Sequence, residues 1–485
     1  MFRFVIIHLS FTIFLFSAGQ FISCKPVLQK KEGVLQIALP SDAGTLDPLF
    51  AVDLVSQKLN RLLFRSLFLL KDGKVLPDLA ESYELKTNTF LVLNLNPALG
   101  ARAEDVRFSL DRLRTTKSPR KSMFNDLKSV SVLDGNRVGL QFEGSPEKVF
   151  ELLASPLASI YSEKEFLESE SFVSYGPYRL ETWKRGEFLH LILRNSEETS
   201  LPPELMMRIL PNTGTAIYLF NKGEIDILRI PFYLLENPAI QREQLISVRG
   251  KSIQYISIFW EDPCLDKNFR LALNHSIDRE TIIEKVFHSK ASGVYLAFPP
   301  EYTFPENRKP RFQFSYDIQL AKKYLESSSC YPEILKRPIE LRMRGDEENR
   351  AKGLAIYQNL KDLSLNVKLL PLEKANLYRD NGQKKGELTL LTWYLDFDSA
   401  LNFLDPLFFS NSPGNGGNRT FYRNPEMDEV ILKSRQKGDL DADSQAKSLE
   451  LLESDLPWIF LWSLDENYLV SKQALLYSQN NLLLF

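Results

Sequence analysis

Phe269-Arg270-Leu271-Ala272-Leu273-Asn274-His275-Ser276-Ile277-Asp278-Arg279 is the stretch on which the reading of this chain turns. It divides into two helical pieces, Phe269 to Ser276 and Arg279 to Phe287. Asp278 stands between them as an N-cap, a carboxylate able to satisfy free amides of the second helix. Just upstream, Ile253 to Trp260 alternates two mixed faces, as a strand does. Downstream, Ile318, Ala321, Tyr324 and Leu325 repeat with helical spacing behind Asp317, a further cap. Leu354, Tyr357 and Leu360 do the same, Val367 to Leu372 reads as a strand, and Asn424-Pro425 opens another helix. Toward the start, Val106, Leu110 and Leu113 form one buried helical stripe, and Val34 to Leu39 is a strand candidate. Helices and strands mix along the whole length, which excludes an all-helical bundle and a sandwich and leaves α/β or α+β.

The chain has 485 residues, more than a single core supports, so two or three structural units are expected. It is 44 % hydrophobic and 25 % charged, with 60 basic against 62 acidic residues and a net charge of −2. No basic excess or basic cluster marks a nucleic-acid surface.

Met1-Phe2-Arg3 supplies one positive charge, and Phe4 to Phe16 is mostly apolar before the small residues Ser17, Ala18 and Gly19. This order is that of a secretory signal, with an apolar run too short to span a bilayer as a stable helix. Phe21-Ile22-Ser23-Cys24 is similar to a bacterial lipobox, with Phe21 where Leu is usual. Acylation of Cys24 would tether the mature chain, each buried methylene contributing about 0.8 kcal/mol. Cys264 and Cys330 remain; an exported compartment permits them to pair, and two buried thiols are the alternative.

Several motifs, in order, carry a resemblance. Thr45-Leu46-Asp47-Pro48, Leu76-Pro77-Asp78-Leu79-Ala80-Glu81-Ser82-Tyr83-Glu84 and Ala103-Glu104-Asp105-Val106-Arg107-Phe108-Ser109-Leu110 come first. Tyr175-Gly176-Pro177-Tyr178 follows, with Trp183, Gly186 and Leu193-Arg194-Asn195, then Gly223-Glu224-Ile225-Asp226-Ile227. The opening stretch, Tyr316-Asp317 and Tyr422-Arg423-Asn424-Pro425-Glu426-Met427-Asp428 complete the series. Together they resemble the extracellular solute-binding proteins of family 5, the oligopeptide, dipeptide and nickel binders of ABC importers, from about Val34 to about Leu475. The resemblance implies a two-lobed periplasmic-binding-protein-like fold (type II, cluster C), with an extra subdomain inserted in lobe one. The expected division is a signal peptide over 1–23 and a lipidated tether over 24–33. Lobe one then takes 34–50, 170–240 and 455–485, the insert 51–169, and lobe two 250–450.

The implied function is capture of short peptides between the lobes and delivery to an ABC permease by an exported, lipid-anchored monomer. No cofactor, metal, nucleic acid or catalysis is expected; nickel chelates, oligosaccharides and a sensory or structural surface role are the alternatives. In Trp393-Tyr394-Leu395-Asp396-Phe397-Asp398, similar to a family segment, Asp396 is placed to meet a peptide ammonium. A solvated loop acid is the other reading of Asp396. Trp393 and Tyr394 would offer flat walls, and Ser41, Asp42 and Gly44 belong to a loop that lends main-chain groups to ligand in the family. Trp260 is expected to be a packed hinge residue. No phosphate loop, nucleophile elbow or zinc-protease helix motif is present, since Gly250-Lys251-Ser252 lacks an upstream glycine.

Overall fold

A computed structural model describes residues 33–477 apart from 52, 72–73, 119–120, 145, 196–199, 295–296, 300–313, 395–399, 415–416 and 438–439. The expected signal segment, Cys24, Asp396 and Asp398 lie outside the described residues.

Two large sheets dominate. The first has seven strands in the order Leu245–Val248, Glu466–Val470, Ile227–Ile230, Val34–Leu39, Glu204–Ile209, Phe188–Leu193 and Tyr178–Lys184. Val34–Leu39 is buried throughout and pairs in parallel with both of its neighbours. Strand alternation sends Leu35, Ile37 and Leu39 to one face, where Val55, Leu59 and Leu62 of the helix Leu54–Leu63 cover them. This helix was expected in the insert, but its apolar stripe matches the first sheet and packs there.

The second sheet runs Ala291–Gly293, Trp458–Leu464, Ser252–Ile258, Leu388–Tyr394, Ile339–Arg344 and Val367–Leu372. Ser252–Ile258 is buried on both faces: Ile256 and Ile258 meet helices on one side, Ile253 and Tyr255 a second core on the other. A four-stranded antiparallel sheet, Ala80–Thr87, Phe90–Leu95, Arg137–Phe142 and Leu127–Asp134, forms a separate core with the helix Ala103–Thr115. The helix Pro146–Ala154 of this unit lies against Pro425–Lys437 beside the second sheet.

The opening sequence stretch acts as a staple. Asp266 caps Lys267–Ser276 by accepting from the Phe269 amide at 2.8 Å, and Asp278 caps Arg279–Lys285 from the Thr281 amide at 3.0 Å. Phe269, Ala272 and Leu273 are fully buried. The buried Arg279 guanidinium donates to the carbonyls of Phe460 at 2.7 Å and Asn274 at 2.9 Å, and to Asn274 Oδ1 at 3.1 Å. The side chain of Asn274 reaches the Trp458 carbonyl at 3.2 Å. Helix and strand are thereby joined through charge-assisted bonds in a dry interior.

The chain crosses between the sheets twice, at 249–251 and at Asp465. Chain crossing sets the boundaries differently from expectation: Leu245–Val248 still belongs to the first sheet, and Trp458–Leu464 stays in the second. The two crossings touch. Ser463 Oγ donates to the Gly250 carbonyl at 2.8 Å, and a Cβ on Gly250 would fall 1.8 Å from the Leu464 carbonyl oxygen. No side chain fits there.

Cys264 and Cys330 form a disulfide, with Cα atoms 5.1 Å apart and a sequence separation of 66. The bond ties the turn before Lys267–Ser276 to the segment after Ile318–Glu326. Nearby, Asn268 Nδ2 donates to the Ser327 carbonyl at 2.8 Å, and the Ser329 amide donates to Asp266 at 2.7 Å.

Gly250→Ala is expected to lower unfolding free energy by about 2–3 kcal/mol, because the crossing must spread to admit a methyl group; a denaturant midpoint equal to wild type would refute the close approach. Cys264→Ser should cost about 2–4 kcal/mol by freeing a long loop in the unfolded chain, an effect that urea titration with and without reductant reads directly.

Candidate functional site

Beside the crossings, side chains from both sheets converge. Arg229 lies on Ile227–Ile230, opposite Tyr468 in the register of the first sheet. Its Nη1 and Nη2 donate to Glu348 Oε2 at 3.3 and 3.4 Å. Glu348 stands in the first turn of the helix Glu347–Lys361, which packs on the second sheet. The other carboxylate oxygen, Oε1, accepts from Lys352 Nζ at 3.1 Å, one helical turn on. Lys352 Nζ lies 5.8 Å from the centre of the Phe232 ring.

A second pair nearby joins the helix Leu54–Leu63 to the first sheet. Lys58 Nζ reaches Glu466 Oε2 at 3.3 Å and the Tyr468 hydroxyl at 3.1 Å. Burial lowers the Lys58 ammonium from its usual pKa, whereas at Glu466 burial is outweighed by Lys58 and the Tyr468 hydroxyl, leaving its carboxyl below the usual range. Glu348 behaves alike: burial would raise its pKa, but Lys352 and Arg229 hold it at about 2. Burial opposes the charge on Arg229, yet Glu348, Tyr394 and Glu466 hold its pKa above the ordinary arginine value. Paired charges tolerate this loss of water where single ones do not.

Tyr394, the last residue of Leu388–Tyr394, stands among these groups with 45 % of its surface accessible. Burial pushes its phenol up to about 12, and Arg229 and Glu466 from the first sheet and Glu348 and Arg344 from the second act on it electrostatically. The candidate site is the cleft at this junction of the two lobes. The surface depressions along Tyr378 and Arg379 and between Asn221 and Lys472 have other linings. Among the described residues no cluster of three His, Cys, Asp or Glu side chains is gathered for a metal ion.

The sequence-predicted residues scatter around this cleft. Tyr394 is in it. Trp393 is not: alternation turns it to the other face of the strand, where it is buried and its Nε1 donates to Asn402 Oδ1 at 3.2 Å. Asp42 is engaged within the first sheet's own hairpin, accepting from Trp183 Nε1 at 3.0 Å and the Gly186 amide at 2.9 Å. Ser41 and Gly44 are exposed in the loop after Val34–Leu39, and a Cβ on Gly44 would meet Asp53 at 2.9 Å. Trp260 packs edge-on to Tyr422, with the Arg270 guanidinium 4.5 Å from its ring. Asp396, two residues past Tyr394, lies outside the described residues.

Sequence reading missed Arg229, Glu348, Lys58 and Glu466. Arg229 interrupts an otherwise apolar strand, which was a usable signal; the acids of Glu347-Glu348 read only as favourable charges at a helix start.

Three comparisons bear on the fold and the family. The dipeptide-binding protein DppE of Bacillus subtilis is 23 % identical over 493 residues, covering 91 % of this chain and 89 % of that protein. The glutathione-binding protein GsiB of Salmonella choleraesuis is 23 % identical over 473 residues, with 90 % of each chain covered. Among solved structures, the periplasmic binding protein DppA of Helicobacter pylori, in complex with the peptide STSA, superposes with a TM-score of 0.75 at 20 % identity, covering 90 % of this chain and 94 % of that one. The sequence profile of the bacterial extracellular solute-binding proteins, family 5 (middle region), matches residues 74–415, and with the two sheets, the double crossing and the cleft between them, the chain belongs to that family.

Proposed function

We propose that this protein captures short peptides in the cleft between its lobes and presents them to the permease of an ABC importer. The observation that carries this reading is the meeting of charged groups from both lobes beside their shared crossing, where Arg229 reaches Glu348 at 3.3 Å and Tyr394 stands half exposed opposite Ser252. A ligand bridging such a cleft stabilises the shut form over the open one. A micromolar affinity corresponds to about −8 kcal/mol, net of the cost of ordering ligand and lobes. Relatives named for dipeptides and glutathione, and a structural neighbour holding a peptide, support a peptide ligand.

The site would combine two kinds of recognition. Asp396 meets the ligand ammonium, and Tyr394 offers a flat wall with a polar edge. The loop at Ser41 to Gly44 lends main-chain groups. Lobe one then comprises 34–50, the helix Leu54–Leu63, and the strands from Tyr178 to Val248 with Glu466–Val470. Lobe two takes the second sheet and its helices, and the sheet from Ala80 to Phe142 is the insert. Export through residues 1–23 and acylation at Cys24 would place the protein outside the cytoplasm on a membrane, where an oxidising medium suits Cys264–Cys330. The protein works as a monomer and catalyses nothing; the driving ATPase is a separate chain.

Native mass spectrometry of gently purified mature protein should show short peptides held by the folded chain; a metal chelate or a glycan in their place would overturn the substrate class. Isothermal titration with peptides so identified should show Asp396→Ala weakening binding by more than about tenfold, the loss of one partner of an enclosed charge pair, with an unchanged melting temperature. Equal affinity in that variant would remove Asp396 from the site.

A further inference from the structure

The lobes meet through a polar contact that the capture of a peptide does not itself require. From lobe one come Arg229 and Phe232, three residues apart. From lobe two come Glu348 and Lys352, both on the first turns of one helix. The contacts are specific: two guanidinium N–H groups on Glu348 Oε2, Lys352 on Oε1, and the same lysine 5.8 Å from the Phe232 ring centre.

The lobe-two half of this contact is ready before the lobes meet. Asp346 caps the helix by accepting from the Asn349 amide at 3.1 Å, and Glu347 and Glu348 sit where the helix dipole favours acids. Lys352 holds Glu348 from within the same helix, at i and i+4. On the lobe-one side Arg229 is held on a central strand, and Phe232 beside it packs on Phe287 of lobe two at 4.7 Å, within a core the lobes share. The ion pair is the charged part of this junction, and opening there would return Arg229 and Glu348 to water. Each still exposes part of its side chain, 29 % and 20 %, so water and salt reach the pair. Such a contact is strong enough to bias a hinge and weak enough to release.

We propose that Arg229 and Glu348, with Lys352 behind the carboxylate, form an ionic latch between the lobes that holds a fraction of the protein shut in the absence of peptide and so tunes its apparent affinity. This rests on the hinge-closure reading above. The coupling is arithmetical: apparent affinity scales with the fraction of molecules in the competent shape. Losing the latch should weaken peptide binding about five- to thirtyfold, the range for a partly buried charge pair.

The test measures lobe separation by electron–electron resonance distances between one spin label on each lobe, in mature protein stripped of ligand by unfolding and refolding. Glu348→Gln and Arg229→Gln should each raise the open population, and added salt should open wild type while leaving Glu348→Gln unmoved. Melting temperatures kept near wild type show that the fold survives in both variants. If both variants keep the wild-type distances while a pool of short peptides still closes all three proteins, the latch is refuted and the capture reading stands. If no protein changes its distances with salt or with peptides, hinge closure itself fails, and the latch fails with it.

Discussion

Between Val248 and Ser252 the chain leaves the first sheet, and it returns at Asp465 so close that only a glycine fits at position 250. This double crossing is the constraint on which the rest of the molecule is arranged. Two short segments, pinned by the Ser463–Gly250 hydrogen bond, join the lobes beside a buried core to which both contribute, Phe232 packing on Phe287. Tyr394 pairs with Ser252 and Glu466 pairs with Val248, so these site residues are attached directly to the crossing.

The recurring motifs turn out to be fasteners. Asp226 accepts from the Gln36 amide at 2.9 Å and from Ser471 Oγ at 2.7 Å, joining three strands of the first sheet at one carboxylate. Gly176 rests on the backbone at Leu63, where a Cβ would lie 2.2 Å from the carbonyl carbon. Asp47 accepts from Arg112 on Ala103–Thr115 and binds the insert to lobe one. Asn424 and Tyr422 share Asp455, at 2.7 and 2.5 Å. Each motif meets a local demand for a cap, a tight approach or a paired buried charge.

Electrostatics in the cleft follows one rule. Lys58 is paired with Glu466, and Arg229 and Lys352 share Glu348, so charges that have lost water gain a partner. One pair ties the helix Leu54–Leu63 to Glu466–Val470 of the first sheet; the other joins the first sheet to the helix Glu347–Lys361 on the second.

The sequence by itself determined the elements. The caps at Asp278 and Asp317 act within three residues, and the helical stripe at Val106, Leu110 and Leu113 within two turns, so the interactions that set them are written side by side. The order of the motifs then pointed to the two-lobed architecture. Tertiary structure alone decided which face each strand residue took, turning Trp393 into a core and Tyr394 into the cleft. It also decided that Cys264 would meet Cys330, that Asp42 would be engaged by Trp183, and that Arg229 would find Glu348. These partners are tens to more than a hundred residues apart, and no local pattern encodes a distance that only the folded sheets and their crossing create.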